Sequence, residues 1–350
     1  MSKTLDVMSA YYRTFGLVRD PFLDTSDPYF HWETIDRLAA QRRLLASISE
    51  SRGLVVLTGD PGSGKTSMLA LIERSLLVDD RMVVARLNDP MFSNDEEFLV
   101  ALSRAFGLSL PARSSGVLRN ALKNFVFDTA VLDNRILVLV IDEAQNLSEE
   151  SLESLRLLLN YSIPDRKLLN IVLSGQSELR ERIRARPNLA DRVDSWLSLE
   201  PLAAADARAL IAHRLKLAGL CAEQSVIDPT ALDTIVQASA GYPRRLLLLS
   251  HLAFEEAAGR GTAFVTVDHA VAAVRSRGLS VPEPVLEPAS APPLAEAPAR
   301  APEPIERMRT TVTSAVLIAP EPARIAPVEP APPDTRPFFV RLFSRAPASR

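Results

Sequence analysis

The sequence predicts an α/β protein with a mostly parallel sheet, followed by a small helical domain and an extended tail. Up to about residue 200, short apolar runs alternate with segments of helical periodicity, the pattern of a sheet covered by helices on both faces. Beyond Pro201 the periodicity is helical only. After residue 280 glycine is absent, and 16 of the 26 prolines lie in residues 281–350, so that segment cannot build a packed core.

Five short apolar runs predict the strands of a five-stranded parallel sheet. They are residues 54–57, 82–87, 136–141, 168–173 and 196–199. Helices are predicted after the first strand, near 95–107 and 115–131, and from Ser148 to about Asn160. Ser148 is a suitable N-cap, and two glutamates follow it in the first turn. Further along, Pro243 and Gly259 mark the beginning and end of another helix.

These patterns divide the chain into five parts. An N-terminal aromatic segment with a first helix (1–45) precedes the α/β core (46–201) and a helical lid (202–280). A Pro/Ala-rich linker (281–335), predicted to be disordered, leads to a basic aromatic peptide (336–350). The linker and peptide together carry eight acidic residues and eight arginines, so the net charge of −3 belongs to residues 1–280.

Composition excludes several classes of protein. The chain has 40 Lys and Arg against 43 Asp and Glu, which excludes a strongly basic nucleic-acid coat protein. The single cysteine, Cys221, cannot form an internal disulfide or a Cys-based metal site, and we interpret it as a small buried residue. No run of about 18 apolar residues and no signal-peptide pattern is found. We therefore expect a cytoplasmic protein.

The sharpest motif follows the first strand. The run Gly59-Asp60-Pro61-Gly62-Ser63-Gly64-Lys65-Thr66 fits G-x-x-x-x-G-K-[ST] and precedes a helix that Ser67 continues. Its backbone N–H groups and the helix N-terminus favour phosphate; Lys65 should reach the β- and γ-phosphates, and Thr66 should hold Mg²⁺. The alternative is a glycine turn with an incidental lysine, but the flanking strand and helix favour an ATP site.

A second motif follows the third strand. The strand 136–141 is followed by Asp142-Glu143-Ala144-Gln145, at the edge where open α/β sheets bind ligands. Asp142 is predicted to hold Mg²⁺, directly or through water, and Glu143 to activate the attacking water. Two solvated carboxylates are the alternative. The acid pair favours ATP hydrolysis over nucleotide storage.

Over roughly residues 9–278 the sequence resembles AAA+ ATPases of the general secretion pathway protein A type, also called ExeA-like. The phosphate loop and acid pair are shared by many ATPases, whereas other matching segments are more specific. These more specific segments are the aromatic N-terminal block (Tyr12–Leu17, Asp20–Phe22 and Asp27–Phe30) together with Asp142–Leu147 and Ser174–Leu179. The resemblance also rests on Leu155–Asn160, His213–Leu215 and Gly241–Arg244. The same branch is similar to target-selection ATPases of transposons.

The resemblance implies three further site residues. Gln176, or Ser174, falls where the family places its first sensor of the γ-phosphate. Arg192 matches the arginine offered to a neighbouring subunit's nucleotide, where a planar cation would stabilise phosphoryl charge; a surface salt bridge is the alternative. Arg244 matches the second sensor on the lid, and Arg245 could substitute for it.

The N-terminal aromatic residues allow two interpretations. Phe15, Phe22, Tyr29, Phe30 and Trp32 could cover the adenine or the edge of the sheet, and core packing is the expected role of most of them. Phe22, with Pro21, is our choice for the loop near the base.

The C-terminal part departs from the family pattern. Typical members continue into a transmembrane helix and a periplasmic peptidoglycan-binding domain, whereas this sequence ends in the Pro/Ala tail, which argues against a direct cell-wall role. Residues 336–345 combine three phenylalanines with several arginines. We interpret this peptide as a docking motif for a protein partner or an anionic membrane surface, with an ordinary disordered terminus as the alternative.

The sequence thus predicts an AAA+ ATPase that hydrolyses ATP with Mg²⁺ in a nucleotide-dependent homo-oligomer. It would act on assembly or remodelling of a secretion or envelope complex, in the cytoplasm and peripheral to the inner membrane. One alternative is a DNA-associated ATPase that recruits a recombinase or transposase; another is an ATP switch that signals through the tail. The negative folded part argues against broad DNA affinity, although the arginines from Arg180 to Arg186 could line a pore or groove.

Overall fold

The computed structural model describes residues 11–23, 28–109, 114–221 and 224–282. These residues fall within one compact unit, residues 1–287. The predicted linker from residue 283 onward and the C-terminal peptide lie outside the described residues.

The predicted parallel sheet of five strands is confirmed. Its strands are β1 (Leu54–Thr58), β2 (Met82–Leu87), β3 (Ile136–Ile141), β6 (Leu169–Gly175) and β7 (Val193–Ser198). They lie side by side in the order β2-β3-β6-β1-β7. A small antiparallel hairpin, β4 (Ser162–Ile163) with β5 (Arg166–Lys167), precedes β6. Strands of two residues carry no periodic signal, which is why the sequence did not predict them.

Helices cover both faces of the sheet and build the lid. In the N-terminal part and the core they are α1 (Tyr11–Thr14), α2 (Ile35–Ser49), α3 (Lys65–Leu76), α4 (Asp95–Ala105), α5 (Ser115–Phe127), α6 (Glu149–Leu158), α7 (Ser177–Arg184) and α8 (Pro187–Ala190). In the lid they are α9 (Ala204–Leu217), α10 (Pro229–Ser239), α11 (Pro243–Gly259) and α12 (Val267–Ser276). Ser148 caps α6 as predicted, accepting a hydrogen bond from the backbone N–H of Ser151.

The central strand β1 explains why its apolar run shows no alternation. All five of its residues are buried, and successive side chains point to opposite faces of the sheet. Leu54 and Val56 belong to the cluster on one face, while Val55 and Leu57 belong to the cluster on the other. Because both faces are covered, the end of β1 is held rigidly between two cores.

The N-terminal aromatic segment packs on the lid, so core packing, the role expected for most of its rings, is found there and not at the edge of the sheet. The rings of Phe15 and Phe22 lie 4.6 and 4.9 Å from that of Phe254 in α11. The buried Arg214 of α9 donates from Nη1 to the carbonyl of Pro21 at 2.9 Å. The segment therefore folds as part of the lid, since the apolar face it needs is supplied there.

The end of the lid extends slightly beyond the predicted boundary at residue 280. Leu279 and Val281 pack against the lid core. Cys221 is exposed, so its interpretation as a buried residue is wrong. Within the described ranges, no helix combines the length and apolar character needed to cross a membrane.

Candidate functional site

The phosphate loop joins β1 to α3 and has the backbone shape that its glycines permit. Gly62 and Gly64 have φ values of +81° and +98°, a region that residues with a Cβ rarely adopt. The ammonium of Lys65 donates to the carbonyl of Gly59 at 2.8 Å and to that of Asp60 at 3.2 Å. Burial lowers the pKa of Lys65, so this desolvated cation is poised to gain from an anion in the loop.

The carboxylate of Asp142 lies beside the first turn of α3. Thr66 Oγ1 donates to its Oδ2 at 2.9 Å, and Ser174 Oγ donates to its Oδ1 at 2.9 Å. Arg86 approaches the same Oδ2 at 3.2 Å. Hydroxyl and carboxylate oxygens are the ligands that Mg²⁺ prefers, so Thr66 and Asp142 fit the predicted ion.

Glu143 follows Asp142 in a left-handed conformation, with φ of +52°. Its Oε2 accepts a hydrogen bond from Gln145 Nε2 at 2.6 Å. A residue other than glycine adopts this conformation only when its surroundings hold it there. The chain thereby directs the Glu143 carboxylate toward the cavity that the phosphate loop borders.

A cavity of about 430 Å³ lies between the phosphate loop, the N-terminal segment and the lid. Its volume is in the range of small-molecule and cofactor sites. The predicted site residues that line it are Pro61, Gly62, Gly64, Lys65, Thr66, Ser67, Glu143, Gln176 and Arg244. The cavity therefore brings together the phosphate loop, the proposed base and both proposed sensor positions.

The two candidates for the first sensor take different places. Ser174 is fully buried and bonds to Asp142, whereas Gln176 lines the cavity. On the lid, Arg244 lines the cavity, and its backbone N–H donates to the carbonyl of Gly62 at 3.3 Å. The guanidinium of Arg245 instead lies 5.4 Å from the ring centre of Tyr242, which favours Arg244 over Arg245.

Phe22 does not line this cavity, so the expectation that it lies near the base is corrected. It is buried against Phe254 in the lid core. Residues 30–33 border the cavity instead, where His213 Nε2 lies 3.0 Å from the carbonyl oxygen of His31. Phe22 and residues 30–33 both belong to the aromatic N-terminal segment, and only the packing of the lid shows which of them border the cavity.

Arg37 is a cavity residue that the sequence did not reveal. It lies in the first turn of α2, and its Nη1 is 2.9 Å from where a Cβ on Gly64 would be. Burial lowers the pKa of this guanidinium. Arg37 is one of three arginines in α2, so no local signal distinguishes it from a surface residue.

Arg192 lies away from the cavity. Its Nε donates to the carbonyl of Asn188 at 3.0 Å, and its role toward a neighbouring subunit stays a prediction. The arginines from Arg180 to Arg186 do not form a continuous basic stripe, since Arg182 and Arg186 pair with Glu149. Arg180 and Arg184 lie over the ring of Trp196.

A P-loop protein is defined by the strand, phosphate loop and helix found here. The acid pair on the adjoining part of the sheet and the helical lid over the loop make it one of the AAA+ class. Residues 48–183 match the family model described as AAA domain. The chain therefore carries an AAA domain, and over 72% of its length it is similar to a general secretion pathway protein A, the ExeA-like type of AAA+ ATPase.

One relative is the general secretion pathway protein A of Aeromonas hydrophila, which is 31% identical over 261 residues, covering 72% of this chain and 46% of the relative. An uncharacterized AAA domain-containing protein of Mycobacterium tuberculosis is 28% identical over 256 residues, covering 69% of this chain and 48% of its own length. The chain thus spans about half the length of the curated relatives it matches.

Solved structures share the fold at low sequence identity. Cdc6p from Pyrobaculum aerophilum has a TM-score of 0.57 and 17% identity, covering 71% of this chain and 68% of that chain. The Aeropyrum pernix ORC1 protein, solved in complex with DNA, has a TM-score of 0.55 and 20% identity. The match covers 73% of this chain and 68% of that chain. At this identity the likeness establishes the AAA+ fold alone.

Proposed function

We propose that this protein binds and hydrolyses ATP with Mg²⁺. The observation that carries the proposal is the convergence of Lys65, the Thr66–Asp142 pair and Glu143 on one cavity of nucleotide size. A protein that only stored nucleotide would need the first two groups but would have no use for a directed carboxylate beside them.

Each group has a distinct part in the proposed reaction. Lys65 and the backbone N–H groups of the loop bind the β- and γ-phosphates. Thr66 and Asp142 hold Mg²⁺, which when bound neutralises charge on the phosphate oxygens. Glu143 accepts the proton of the attacking water. Gln176 and Arg244 contact the γ-phosphate from the sheet and from the lid, and Arg37 adds a cation beside Gly64.

We further propose that hydrolysis takes place in a homo-oligomer. Arg192 lies outside the cavity of its own subunit and is only partly exposed, so a role in phosphoryl chemistry would require the site of a neighbouring copy. Nucleotide between two subunits would then make assembly depend on ATP.

The biological process we propose is assembly or remodelling of a secretion or envelope complex at the cytoplasmic side of the inner membrane. The similarity to general secretion pathway protein A supports this assignment. Residues 336–350 would provide the contact with a protein partner or the membrane surface. The DNA-associated alternative receives less support, because Arg182 and Arg186 are paired with Glu149 and do not offer an open basic groove.

The test uses the purified full chain. We expect Mg²⁺-dependent release of phosphate from ATP, and particle imaging with a non-hydrolysable ATP analogue should show oligomers that are absent without nucleotide. Adding duplex DNA should change neither result. Absence of phosphate release from the assembled protein would reject the ATPase proposal, and DNA-dependent assembly or turnover would favour the DNA-associated alternative.

A further inference from the structure

Gln145 lies between Glu143 and Gln176, two residues of the site that follow different strands of the sheet. Its Nε2 donates to Glu143 Oε2 at 2.6 Å, and its Oε1 accepts from the backbone N–H of Gln176 at 3.2 Å. One amide thus joins the carboxylate that follows β3 to the residue that follows β6. Glu143 and Gln176 both line the cavity.

The backbone around Gln145 is fixed independently of this amide. Residues Ala144–Asn146 form one 3₁₀ turn, in which Ala144 is fully buried in the core and Asn146 faces solvent. Arg182 Nη1 donates to the carbonyl of Gln145 at 2.5 Å and holds the turn against α7. The side chain of Gln145 is therefore presented to the end of β6 by a rigid support.

The end of β6 leaves room for this side chain only because residue 175 is glycine. A Cβ on Gly175 would lie 2.6 Å from Gln145 Oε1 and 2.9 Å from Leu179 Cδ2. Such contacts are closer than atoms tolerate, so any other residue would displace the amide. Gly175 has an ordinary negative φ, and close approach to Gln145 and Leu179 is the reason for a glycine here.

We propose that Gln145 is a positioning residue for ATP hydrolysis, holding the Glu143 carboxylate in register with Gln176. This inference rests on the proposed ATPase function. The Gln145 amide is bonded both to the backbone N–H of Gln176 and to the carboxylate of Glu143. A shift of Gln176 toward a γ-phosphate would therefore also move the Glu143 carboxylate. A general base must be placed within hydrogen-bond reach of its water. Glu143 has a left-handed backbone conformation, so its carboxylate keeps its position only through contacts with its neighbours. Gln145 touches neither phosphate nor water in this role.

Two variants of the same side-chain length separate the two ends of the amide. Gln145→Met removes both hydrogen bonds, whereas Gln145→Glu retains the acceptor for the Gln176 N–H but replaces the donor to Glu143 by a negative charge. Asn146→Ala is the matched control, because Asn146 lies in the same turn and its amide donates to Asp89 instead.

We expect Gln145→Met to lower kcat at least about 10-fold, while ATP affinity from a fluorescent-analogue titration stays within about 3-fold. Hydrogen exchange of the peptide containing Gln176 should quicken in Gln145→Met but not in Gln145→Glu or Asn146→Ala. In Gln145→Glu kcat should fall while exchange at Gln176 stays at the wild-type rate, because this variant keeps the acceptor for the Gln176 N–H and loses the donor to Glu143.

The outcomes separate this inference from the proposed function. A wild-type protein that forms oligomers but releases no phosphate would overturn both. An active wild type with Gln145→Met at near-normal kcat, or with unchanged exchange at Gln176, would overturn the positioning role alone. A purely structural role would lower the melting temperature of both Gln145 variants and weaken ATP affinity together with kcat, which would also contradict the proposal.

Discussion

The hydroxyl of Tyr242, at the start of the lid helix α11, donates a 2.5 Å hydrogen bond to the carboxylate of Asp60 in the phosphate loop. This bond ties the lid to the loop that is proposed to bind phosphate. It also raises the pKa of the Tyr242 phenol, because the neutral form is the donor. A change in the position of Asp60 on nucleotide binding would therefore also move Tyr242 and the start of α11.

Removing this hydroxyl should loosen the lid in a pH-dependent manner. Since the pKa of Tyr242 is raised on folding, its stabilising contribution is complete below the ordinary value of 10.0 and is lost as pH rises through the higher folded value. We expect Tyr242→Phe to melt at a lower temperature than wild type from pH 7 to about 9, with the difference shrinking above pH 10. Tyr12→Phe is the control, and a difference independent of pH would contradict the assignment.

Hydrolysis should depend on Glu143 more than binding does. Glu143→Gln should keep ATP affinity within a few-fold and lower turnover by about 10²-fold or more, because this group acts on water and not on phosphate. Lys65→Ala should instead weaken binding itself, since it removes the cation of the loop. Phosphate release and nucleotide titration measure the two effects, and near-normal turnover of Glu143→Gln would exclude it as the base.

Arg86 should compete with Mg²⁺ for Asp142. Its guanidinium lies 3.2 Å from Asp142 Oδ2 and 3.0 Å from Glu73 Oε2. We expect Arg86→Met to destabilise the protein without ligands by roughly 1–3 kcal/mol, because a buried carboxylate loses a partner. Less Mg²⁺ should then be needed for half of the nucleotide-induced rise in melting temperature.

The matched control for Arg86 is Arg81→Met, which breaks an exposed pair with Asp79 just before the same strand. That change should leave the melting temperature nearly unchanged and the Mg²⁺ requirement unaltered, because an exposed ion pair contributes little to stability. If Arg86→Met needs as much Mg²⁺ as wild type, the competition does not exist.

Arg192 should act on the nucleotide of a neighbouring subunit. Arg192→Ala should fold and bind ATP but fail to hydrolyse it, and mixing it with Lys65→Ala should restore part of the activity, because each variant supplies the group that the other lacks. Arg208→Ala, in the exposed pair with Asp233, is the control. Full activity of purified Arg192→Ala would remove this residue from the reaction.

The C-terminal segment should be dispensable for the ATPase. Val281 packs on the lid core, so the truncation should end at Pro282. We expect this variant to keep wild-type turnover and melting temperature while losing co-sedimentation with an inner-membrane fraction. Replacing Phe338, Phe339 and Phe343 by serine in the full chain should reproduce the loss. Unchanged sedimentation of both variants would leave the peptide without a docking role, and unfolding of the truncated chain would show that the tail belongs to the core.

The sequence by itself predicted the sheet, the phosphate loop and the acid pair, because each rests on a local pattern. A buried strand such as Ile136–Ile141 needs a continuous apolar run, and a phosphate loop needs glycines and a lysine at fixed spacing. Their positions follow from chain order, since the carboxyl ends of parallel strands meet at one edge of a sheet. The match to these patterns therefore indicated both the fold and the place of Lys65, Thr66, Asp142 and Glu143.

Only the tertiary structure decided which residues from distant segments complete the cavity. Phe22 and Phe30 are both buried aromatic residues near the N-terminus, yet packing on Phe254 turns Phe22 away and leaves Phe30 on the cavity wall. Arg37 carries no local signal either, and the motif that contains Gln145 does not indicate its partners. Their roles come from contacts with Gly64 and Gln176, and contacts between segments so far apart are set by how the cores pack, which spacing along a chain does not encode.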